Sequence, residues 1–383
     1  MTTANLSTTE IDSPACRLAA ERLYAHLLAH HIREDGAMVG PDPGASLNLR
    51  VTRFVKSYLR ALPWRDSLYY LQGQAYWTLD NLKMAALTGD ASYKDAALRC
   101  AELVAKRQMP EGWWKYPQAE WSNRIATVEG CFGALCALFG FEASGDERLL
   151  DCARRWYRFM VEQVGFQDYD AESRAVNYFS NLGRGMVPNN STLAMWFCAV
   201  LARAAGDTAY LEHCPAMASF LAKCQLESGE LPYVIGSEQG PGRVHYLCFQ
   251  YNAFQLLDLA DYYEVSADER VVPVMSKLAE FVSGGLTADG DARHHCGEDR
   301  PTVRYFGSAV SAALARASAM QLGDYWSLAA RGYSRLLSLQ HRDGGFDYSL
   351  GDYGILSDRR SYPRNQAMIL RHLLMAAERQ GTH

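Results

Sequence analysis

The sequence lacks the features that mark several large classes of protein. No run of lysine and arginine exceeds two residues, and the 383-residue chain has a formal net charge of -5. An extended basic surface for nucleic acid or anionic lipid is therefore not expected. No stretch reaches the roughly 18 consecutive apolar residues that a membrane-spanning helix needs. The segment Met1–Pro14 has no apolar signal core.

Motifs for nucleotide, hydrolase and metal chemistry are missing as well. There is no Gly-x-Gly-x-x-Gly fingerprint, no phosphate-binding loop and no Gly-x-Ser-x-Gly nucleophile turn. The ten cysteines are dispersed through apolar segments without a Cys-x-x-Cys pair, which predicts reduced core residues and hence a cytoplasmic protein. His294-His-Cys296 is the densest metal-like cluster, but three adjacent side chains cannot easily converge on one ion. The sequence therefore predicts no cofactor and no metal.

What the chain does have is an internal repeat of roughly sixty residues. Gly-Asp pairs follow apolar segments at Gly89, Gly145, Gly206 and Gly323, and Ala267-Asp continues the series. A glycine at such a place can end a helix in the left-handed conformation, and the next aspartate can cap the following helix. Each repeat therefore predicts a tight helical hairpin.

Apolar periodicity around these turns predicts twelve helices. They cover residues 14–31, 68–87, 91–107, 122–143, 147–163, 190–205, 208–225, 246–264, 268–284, 303–321, 324–340 and 362–378. Five Gly-Asp hairpins account for ten of them, which leaves the first and last helices to pair with each other. The predicted fold is all-α, a single (α/α)6 toroid of six helical hairpins over 14–383, after a flexible segment at 1–13. An open superhelical array is the alternative, and short strands are expected around Leu231–Ile235.

The long connections between hairpins all lead to one end of the predicted ring. They cover residues 32–67, 108–121, 164–189, 226–245, 285–302 and 341–361. Loops on a rigid scaffold often carry function, and the six helices that follow these loops begin with polar and aromatic residues. Because polar side chains are costly to bury singly, we expect them to share one partly desolvated cavity.

The candidate catalytic residues lie at these helix starts. The predicted set is Glu129, His245, Tyr251, Arg124 and Asn190. Glu129 stands in an apolar segment, where it is either an ion-pair partner of Arg124 or an acid/base with a raised pKa. His245 and Tyr251 are a possible proton-transfer pair. For His245 the structural alternative is a histidine whose hydrogen bonds are satisfied in the core. For the polar residues at the helix starts the alternative is helix capping.

A second set is predicted to bind substrate. It comprises Trp114, Trp121, Gln250, Asn252, Tyr305, Arg360 and Arg364. Aromatic rings can stack on a flat ligand, and the composition includes 22 tyrosines, whose hydroxyl also forms hydrogen bonds. Arginines can bind a carboxylate or phosphate through two hydrogen bonds. The alternatives are aromatic plugs of the ring and salt bridges to loop aspartates.

Turns of the form Gln-x-x-x-Gly occur at Gln108, Gln225 and Gln340, with aromatic residues close behind. Together with the twelve-helix pattern they resemble the α/α-toroid superfamilies. One branch comprises squalene/hopene cyclases and protein prenyltransferases, and the other comprises uronyl C5-epimerases, alginate-type lyases and many glycosidases. The cyclase Asp-x-Asp-Asp motif is absent, Asp168-Tyr-Asp170 being the nearest match. Val128-Glu-Gly-Cys-Phe-Gly-Ala-Leu is similar to the helical domain of uronyl epimerases.

The carbohydrate branch implies roles for particular residues. Toroidal uronate lyases use Asn and Arg to neutralise the uronate carboxylate, and they use Tyr with His to move protons. By residue type, Asn189 or Asn190 and an arginine would match the first pair, and Tyr251 with His245 would match the second. The lyases' Asn-Asn-His run reads Asn189-Asn-Ser here.

We therefore predict a carbohydrate-active enzyme, an epimerase, lyase or glycosidase, that acts by acid/base proton transfer. For a glycosidase, Glu129 and Glu230 are the first carboxylate pair to consider. The predicted partner is a small-molecule or oligosaccharide substrate, not nucleic acid. An isoprenoid cyclase or transferase with an aromatic-lined cavity is one alternative. A non-catalytic module of a polysaccharide or natural-product pathway is the other.

Overall fold

The computed structural model describes residues 10–43, 67–299, 302–349 and 358–378. Within them, twelve α-helices account for most of the chain. They are α1 (Ser13–His30), α2 (Leu71–Thr88), α3 (Ala91–Lys106), α4 (Thr127–Ser144), α5 (Glu147–Phe159), α6 (Pro188–Ala205), α7 (Cys214–Cys224), α8 (Cys248–Ser266), α9 (Val272–Ser283), α10 (Arg304–Ala319), α11 (Trp326–Leu337) and α12 (Pro363–Ala377). The predicted all-α class is confirmed.

These helices form a closed double ring. The six even-numbered helices form the inner ring, in which each helix packs against the next and α12 packs back against α2. The odd-numbered helices lie outside, and α1 packs against α12 as the pairing of the first and last helices requires. The inner helices α4 and α6 are buried along nearly their whole length. The fold is therefore an (α/α)6 toroid and not an open array.

The short turns between paired helices follow the predicted chemistry. Gly89, Gly145 and Gly206 have φ of 74°, 73° and 64°, and Ala267 takes the same left-handed conformation at 50°. The aspartate after each of them accepts a hydrogen bond from the backbone N–H two residues later. In the fifth hairpin the left-handed residue is Gln321, at φ 61°, which stands two positions before the expected glycine.

The recurrent glutamine turns connect neighbouring outer helices. The side-chain amide of Gln108 donates both to Gly112 O in its own turn and to Cys152 O in α5. Gln225 donates in the same way to Gly229 O and to Val274 O in α9. Gln340 donates to Gly344 O and to Ala19 O in α1, across the two ends of the chain. The motif thus adds a shared hydrogen bond to the contacts between neighbouring outer helices.

Several regions differ from the sequence prediction or fall outside the description. The only β-hairpin within the described residues joins β1 (Phe166–Asp170) to β2 (Ser173–Val176), whereas the Leu231–Ile235 region forms only isolated bridges. Residues 1–9 of the predicted flexible segment lie outside the described residues, as do parts of the loops at 32–67, 285–302 and 341–361. Asp12 caps α1. No described helix is both long enough and apolar enough to cross a membrane.

Candidate active site

A cavity of about 150 Å³ opens where the inner helices begin. All six inner helices contribute side chains to it, since each enters the ring from a long loop at the same end. The polar lining residues are Gln72, Glu129, Asn189, Asn190, Gln250, Asp258 and Arg364. The tyrosines in the lining are Tyr76, Tyr116, Tyr178, Tyr233, Tyr251 and Tyr305. The cavity can hold several water molecules or part of a polar ligand.

Glu129 is the buried acid at the start of α4. Its side chain is only 3% exposed, and its Oε2 accepts a hydrogen bond of 2.9 Å from the backbone N–H of Leu71, the first residue of α2. Burial raises the pKa of the Glu129 carboxyl to about 7, although the Leu71 amide and Arg364 oppose the rise. Glu129 can therefore both take and give a proton near neutral pH.

Asp258 is a second cavity carboxyl, which the sequence analysis missed. It lies two turns after Tyr251 on α8 and accepts a hydrogen bond of 3.1 Å from Thr192 Oγ1. Burial, reinforced by Asp261, raises the pKa of Asp258 to about 8. The spacing of Tyr251, Phe254 and Asp258 places them on one helix face, and that periodicity is the signal that could have identified Asp258.

Arg364 is the cationic side chain among the described lining residues. Its Nε lies 2.7 Å from Asp42 Oδ2, and its Nη1 donates to Gln72 Oε1 at 3.2 Å. The guanidinium also stacks over the ring of Tyr70, 4.5 Å from the ring centre. These contacts fix the plane of the guanidinium at the start of α12, so that its orientation is set before a ligand arrives.

Three amide side chains in the lining have buried atoms without a hydrogen-bond partner among the described residues. They are Asn189 Oδ1, Asn190 Nδ2 and Gln250 Oε1. A buried polar atom that lacks a partner costs about 1 to 3 kcal/mol. All three residues line the cavity, so a polar ligand or water that reached these two acceptors and one donor would stabilise the site.

Six of the twelve predicted site residues line this cavity. They are Glu129, Asn190, Gln250, Tyr251, Tyr305 and Arg364. Burial and the surrounding tyrosines raise the pKa of Tyr251 well above its ordinary value, so its hydroxyl is neutral and can donate a proton. The structure thus brings together the predicted residues from α4, α6, α8, α10 and α12.

Trp114 and Asn252 serve the fold instead of the cavity. Trp114 is 4% exposed and donates from Nε1 to Val104 O. Asn252 accepts from Leu231 N at 2.8 Å and donates back to Leu231 O at 3.3 Å, and it also donates to Cys248 O. Gln74 and Gln366 bind Met38 and Phe346 with the same two-sided amide contact. Asn252 therefore belongs to a clamp that recurs in the repeats, and it does not line the cavity.

Trp121, Arg124 and Arg360 lie outside the lining of the cavity. The Arg124 guanidinium stacks over Trp121 at 4.4 Å, and no ion pair joins Arg124 to Glu129 in the described part of the chain. The ring centre of Trp121 is 5.2 Å from that of Tyr116, a lining residue. Arg360 stacks over Tyr362 at 5.2 Å. These arginines are held by aromatic faces and do not extend into the cavity.

The predicted His245–Tyr251 pair is not assembled in the cavity. The His245 side chain is 52% exposed, and its Nδ1 lies 2.9 Å from Oε2 of the buried Glu230. Neither His245 nor Glu230 lines the cavity, although Tyr251 does. The carboxyls that do line it together are Glu129 and Asp258, not the predicted Glu129 and Glu230. Sequence spacing could not show this, because the loop before α8 turns Glu230 and His245 toward each other.

A larger cavity of about 700 Å³ opens at the opposite end of the ring. Charged residues in its lining form ion pairs with one another, as Arg371 does with Asp261 at 2.9 Å and Arg316 with Glu264 at 2.5 Å. Lys83 pairs with Glu378 in the same way. These ion pairs still leave Arg316 Nε and Arg371 Nη1 without a hydrogen-bond partner among the described residues. The cavity at the long-loop end is the better candidate active site because it holds two buried carboxyls with raised pKa values, Glu129 and Asp258.

The fold is that of the α/α toroids known from solved structures. It is similar to a cellobiose 2-epimerase from Bacillus thermoamylovorans, with a TM-score of 0.70 and 11% identity over 94% of this chain and 98% of that one. It is also similar to a polysaccharide lyase (TM-score 0.64, 10% identity, 96% and 99% covered). A GH76 α-mannanase from Bacteroides thetaiotaomicron gives a TM-score of 0.66 at 12% identity, with 94% and 95% covered. No family model and no curated protein matches the sequence.

Proposed function

We propose that the protein is a carbohydrate-active enzyme that acts on a saccharide in the central cavity by acid/base proton transfer. The observation that carries this proposal is the set of buried amide atoms without partners on Asn189, Asn190 and Gln250, in the same cavity as Glu129. A sugar ring presents several hydroxyls, each of which both donates and accepts. It can therefore supply partners for both the acceptors and the donor of the amide side chains that line one small space.

The structural neighbours support the same class of substrate. The epimerase, the lyase and the mannanase are each named for action on a saccharide. Fold similarity at 10 to 12% identity is support by analogy, because toroids host more than one chemistry. The site therefore has to carry the functional argument, and the fold adds to it.

Glu129 and Tyr251 are the proposed proton-transfer groups. With a pKa of about 7, the Glu129 carboxylate forms readily at neutral pH and can take a proton from a sugar carbon or hydroxyl. Tyr251 keeps its proton because its pKa is raised, so it can protonate the opposite face or the departing oxygen. Arg364 and Asn190 would stabilise negative charge that develops on the substrate. An epimerase and a lyase both need this combination of base, acid and charge stabiliser.

Glycoside hydrolysis is the second candidate. The presence of Asp258 beside Glu129 favours it, because two carboxyls in one cavity can serve as acid and base or nucleophile. The products distinguish these reactions. Hydrolysis adds one water mass to the products, a lyase creates an unsaturated sugar that absorbs in the ultraviolet, and an epimerase leaves the mass unchanged.

The cavity lining argues against the two other interpretations. An isoprenoid cyclase needs a dry aromatic cavity with one isolated acid, whereas this lining includes seven polar side chains besides its tyrosines. A non-catalytic module is expected to have polar groups that satisfy one another and no acid with a shifted pKa. Glu129 and Asp258 differ from that expectation.

We also propose a cytoplasmic location for the protein. All ten cysteines are free thiols, including buried thiols in most of the helical hairpins. Reduced cysteines in this number are typical of a reducing compartment.

The test is turnover of an oligosaccharide panel with and without uronate residues, followed by Glu129→Gln and Tyr251→Phe on the first confirmed substrate. Glu129→Gln keeps the acceptor for the Leu71 amide but cannot ionise, so we expect a loss of kcat of about 100-fold or more. The wild-type kcat/KM should rise with pH through about 7, and the variant should lack that rise.

Glu142→Gln is the matched control, because Glu142 lies at the far end of the same helix and pairs with Arg203 of α6, away from the proposed active site. It should keep wild-type turnover. Unchanged turnover in both Glu129→Gln and Tyr251→Phe would exclude the proposed proton-transfer roles.

A further inference from the structure

A second cluster of reactive side chains lies beside the cavity without lining it. Glu230 and His245 belong to the loop before α8, Cys248 is the first residue of α8, and Cys296 lies in the loop before α10. One potential ligand atom of each residue lies within 4.8 Å of all the others. Three chain segments thus meet at one point with two thiols, an imidazole and a carboxylate.

The spacing of these atoms is close to that of a tetrahedral metal shell. Glu230 Oε2 lies 2.9 Å from His245 Nδ1 and 3.8 Å from Cys296 Sγ. In a zinc site, bonds of roughly 2.0 to 2.3 Å place neighbouring ligand atoms about 3.3 to 3.8 Å apart. A cation would therefore need to separate His245 from Glu230 by only about 0.4 Å, which a side-chain rotation can provide.

The donor set and the local charge both favour a thiophilic divalent cation. Two cysteines with a histidine and a carboxylate suit Zn²⁺ and disfavour Mg²⁺ or Ca²⁺, which prefer oxygen alone. The side chain of Glu230 is only 2% exposed. A buried carboxylate is stabilised by a nearby positive charge, which a cation bound beside His245 would supply.

We propose that Glu230, His245, Cys248 and Cys296 bind one Zn²⁺ as a structural site. Four protein ligands close the coordination shell, so the metal holds the segments together and does not activate water. Tyr233 follows Glu230 by three residues and Tyr251 follows Cys248 by three, and both tyrosines line the cavity. The metal would therefore fix one wall of the cavity. This inference does not depend on the proposed sugar chemistry.

The sequence prediction of no metal considers only the His294-His-Cys296 run. Only Cys296 of the His294-His-Cys296 run joins the cluster. The ring of His294 packs against Phe306, with ring centres 5.8 Å apart, and His295 Nδ1 lies 4.0 Å from Cys248 Sγ. The other ligands come from distant segments, which spacing in the sequence cannot reveal.

The experiment measures metal directly on the full chain, purified under reducing conditions. We expect one equivalent of zinc by elemental analysis. Replacement with Co²⁺ should give the intense near-ultraviolet absorption of cobalt–thiolate bonds. Cys296→Ser and Glu230→Gln should each weaken Co²⁺ binding by about 100-fold or more, since even outer-sphere changes cost 10- to 100-fold. A chelator should lower the thermal midpoint of the wild type but not of Cys296→Ser.

Cys224→Ser is the matched control. Cys224 is a buried thiol at the end of α7 that contacts Leu221 O, and the serine hydroxyl can keep this contact. This variant should bind Co²⁺ like the wild type. The proposal would be overturned by a reduced wild type that takes up neither ion, by equal affinity in the control and the two ligand variants, or by a Cys248–Cys296 disulfide in freshly isolated protein.

Discussion

The buried carboxyl of Glu129 lowers the stability of the folded chain at neutral pH and at the same time provides a group for proton transfer. The side chain has a single described backbone donor, Leu71 N–H, and lies in an apolar stretch of α4. Its pKa of about 7 in the folded chain exceeds the ordinary value of 4.5. Ionisation of Glu129 at neutral pH therefore costs folding free energy, as is common where a catalytic group needs a shifted pKa.

The same shift gives a prediction for stability against pH. The folded chain holds the Glu129 proton up to about pH 7 while the unfolded chain releases it near 4.5, so the free energy of unfolding falls as pH rises through that window. Glu129→Gln removes this loss. In urea denaturation the variant should match the wild type at pH 4.5 and be more stable at pH 8, by about 3 kcal/mol at most. A constant difference at all pH values would contradict the assigned pKa.

At the scale of the helix, the pairing of inner and outer helices depends on close contacts at glycines. Gly130 on α4 faces the indole ring of Trp156 on α5, and a Cβ at this position would overlap that ring. Trp156 is fully buried, so it has no free space into which it can move. The glycine therefore sets how closely α4 approaches its outer partner.

Gly130→Ala should destabilise the protein despite the better helix propensity of alanine. We expect a loss of about 1 to 3 kcal/mol from overpacking, measured as a lower urea midpoint. Gly307→Ala on α10 is the control, because its nearest neighbour would be the Ala292 Cβ at 4.0 Å. That variant should gain up to about 1 kcal/mol. If both substitutions stabilised the protein alike, the contact between Gly130 and Trp156 would not limit the packing.

At the scale of the whole molecule, the ring joins chain segments that are far apart in sequence. Gln340 donates to Ala19 O across 321 positions, and Ser13 Oγ donates to Ala376 O across 363. Closure also places Tyr24 against Asn81, so that α1 contacts α2 as well as α12. A closed ring has no terminal repeat that can fray independently, in contrast to an open solenoid.

This closure predicts that a substitution where the two ends of the chain meet also lowers the stability of helices on the opposite side of the ring. Gln340→Ala removes the donor for two backbone carbonyls and should lower the free energy of unfolding by about 1 to 3 kcal/mol. Hydrogen exchange should show lost protection in α6, three inner helices away, as well as in α1. Gln225→Ala removes the equivalent contacts within the ring and should cost a similar amount. Loss of protection in α1 and α11 alone would indicate independent repeats.

Sequence reasoning was most successful where the physical cause is local. The helix-ending conformation at Gly89, Gly145 and Gly206 and the caps that follow depend on neighbours within three residues. Helix spacing, and hence the six-hairpin toroid, follows from these turns. Glu129 and Arg364 could be identified as candidate cavity residues from the sequence. A charged residue at the start of an apolar inner helix loses free energy on burial unless it faces the cavity or has a partner.

The tertiary structure decided which side chains from different repeats meet. Asn252 and Trp114 have the same residue types as ligand-binding groups, yet they are satisfied by backbone atoms of Leu231 and of Val104 in α3. Asp258 reaches the cavity because it lies on the same face of α8 as Tyr251. Two long loops fold over the start of α8, and they bring together Glu230, His245, Cys248 and Cys296. The sequence by itself determined the repeat and its turns, because those forces act between near neighbours. The composition of the cavity and of the ligand cluster depends on the path of the loops, which local preferences do not specify.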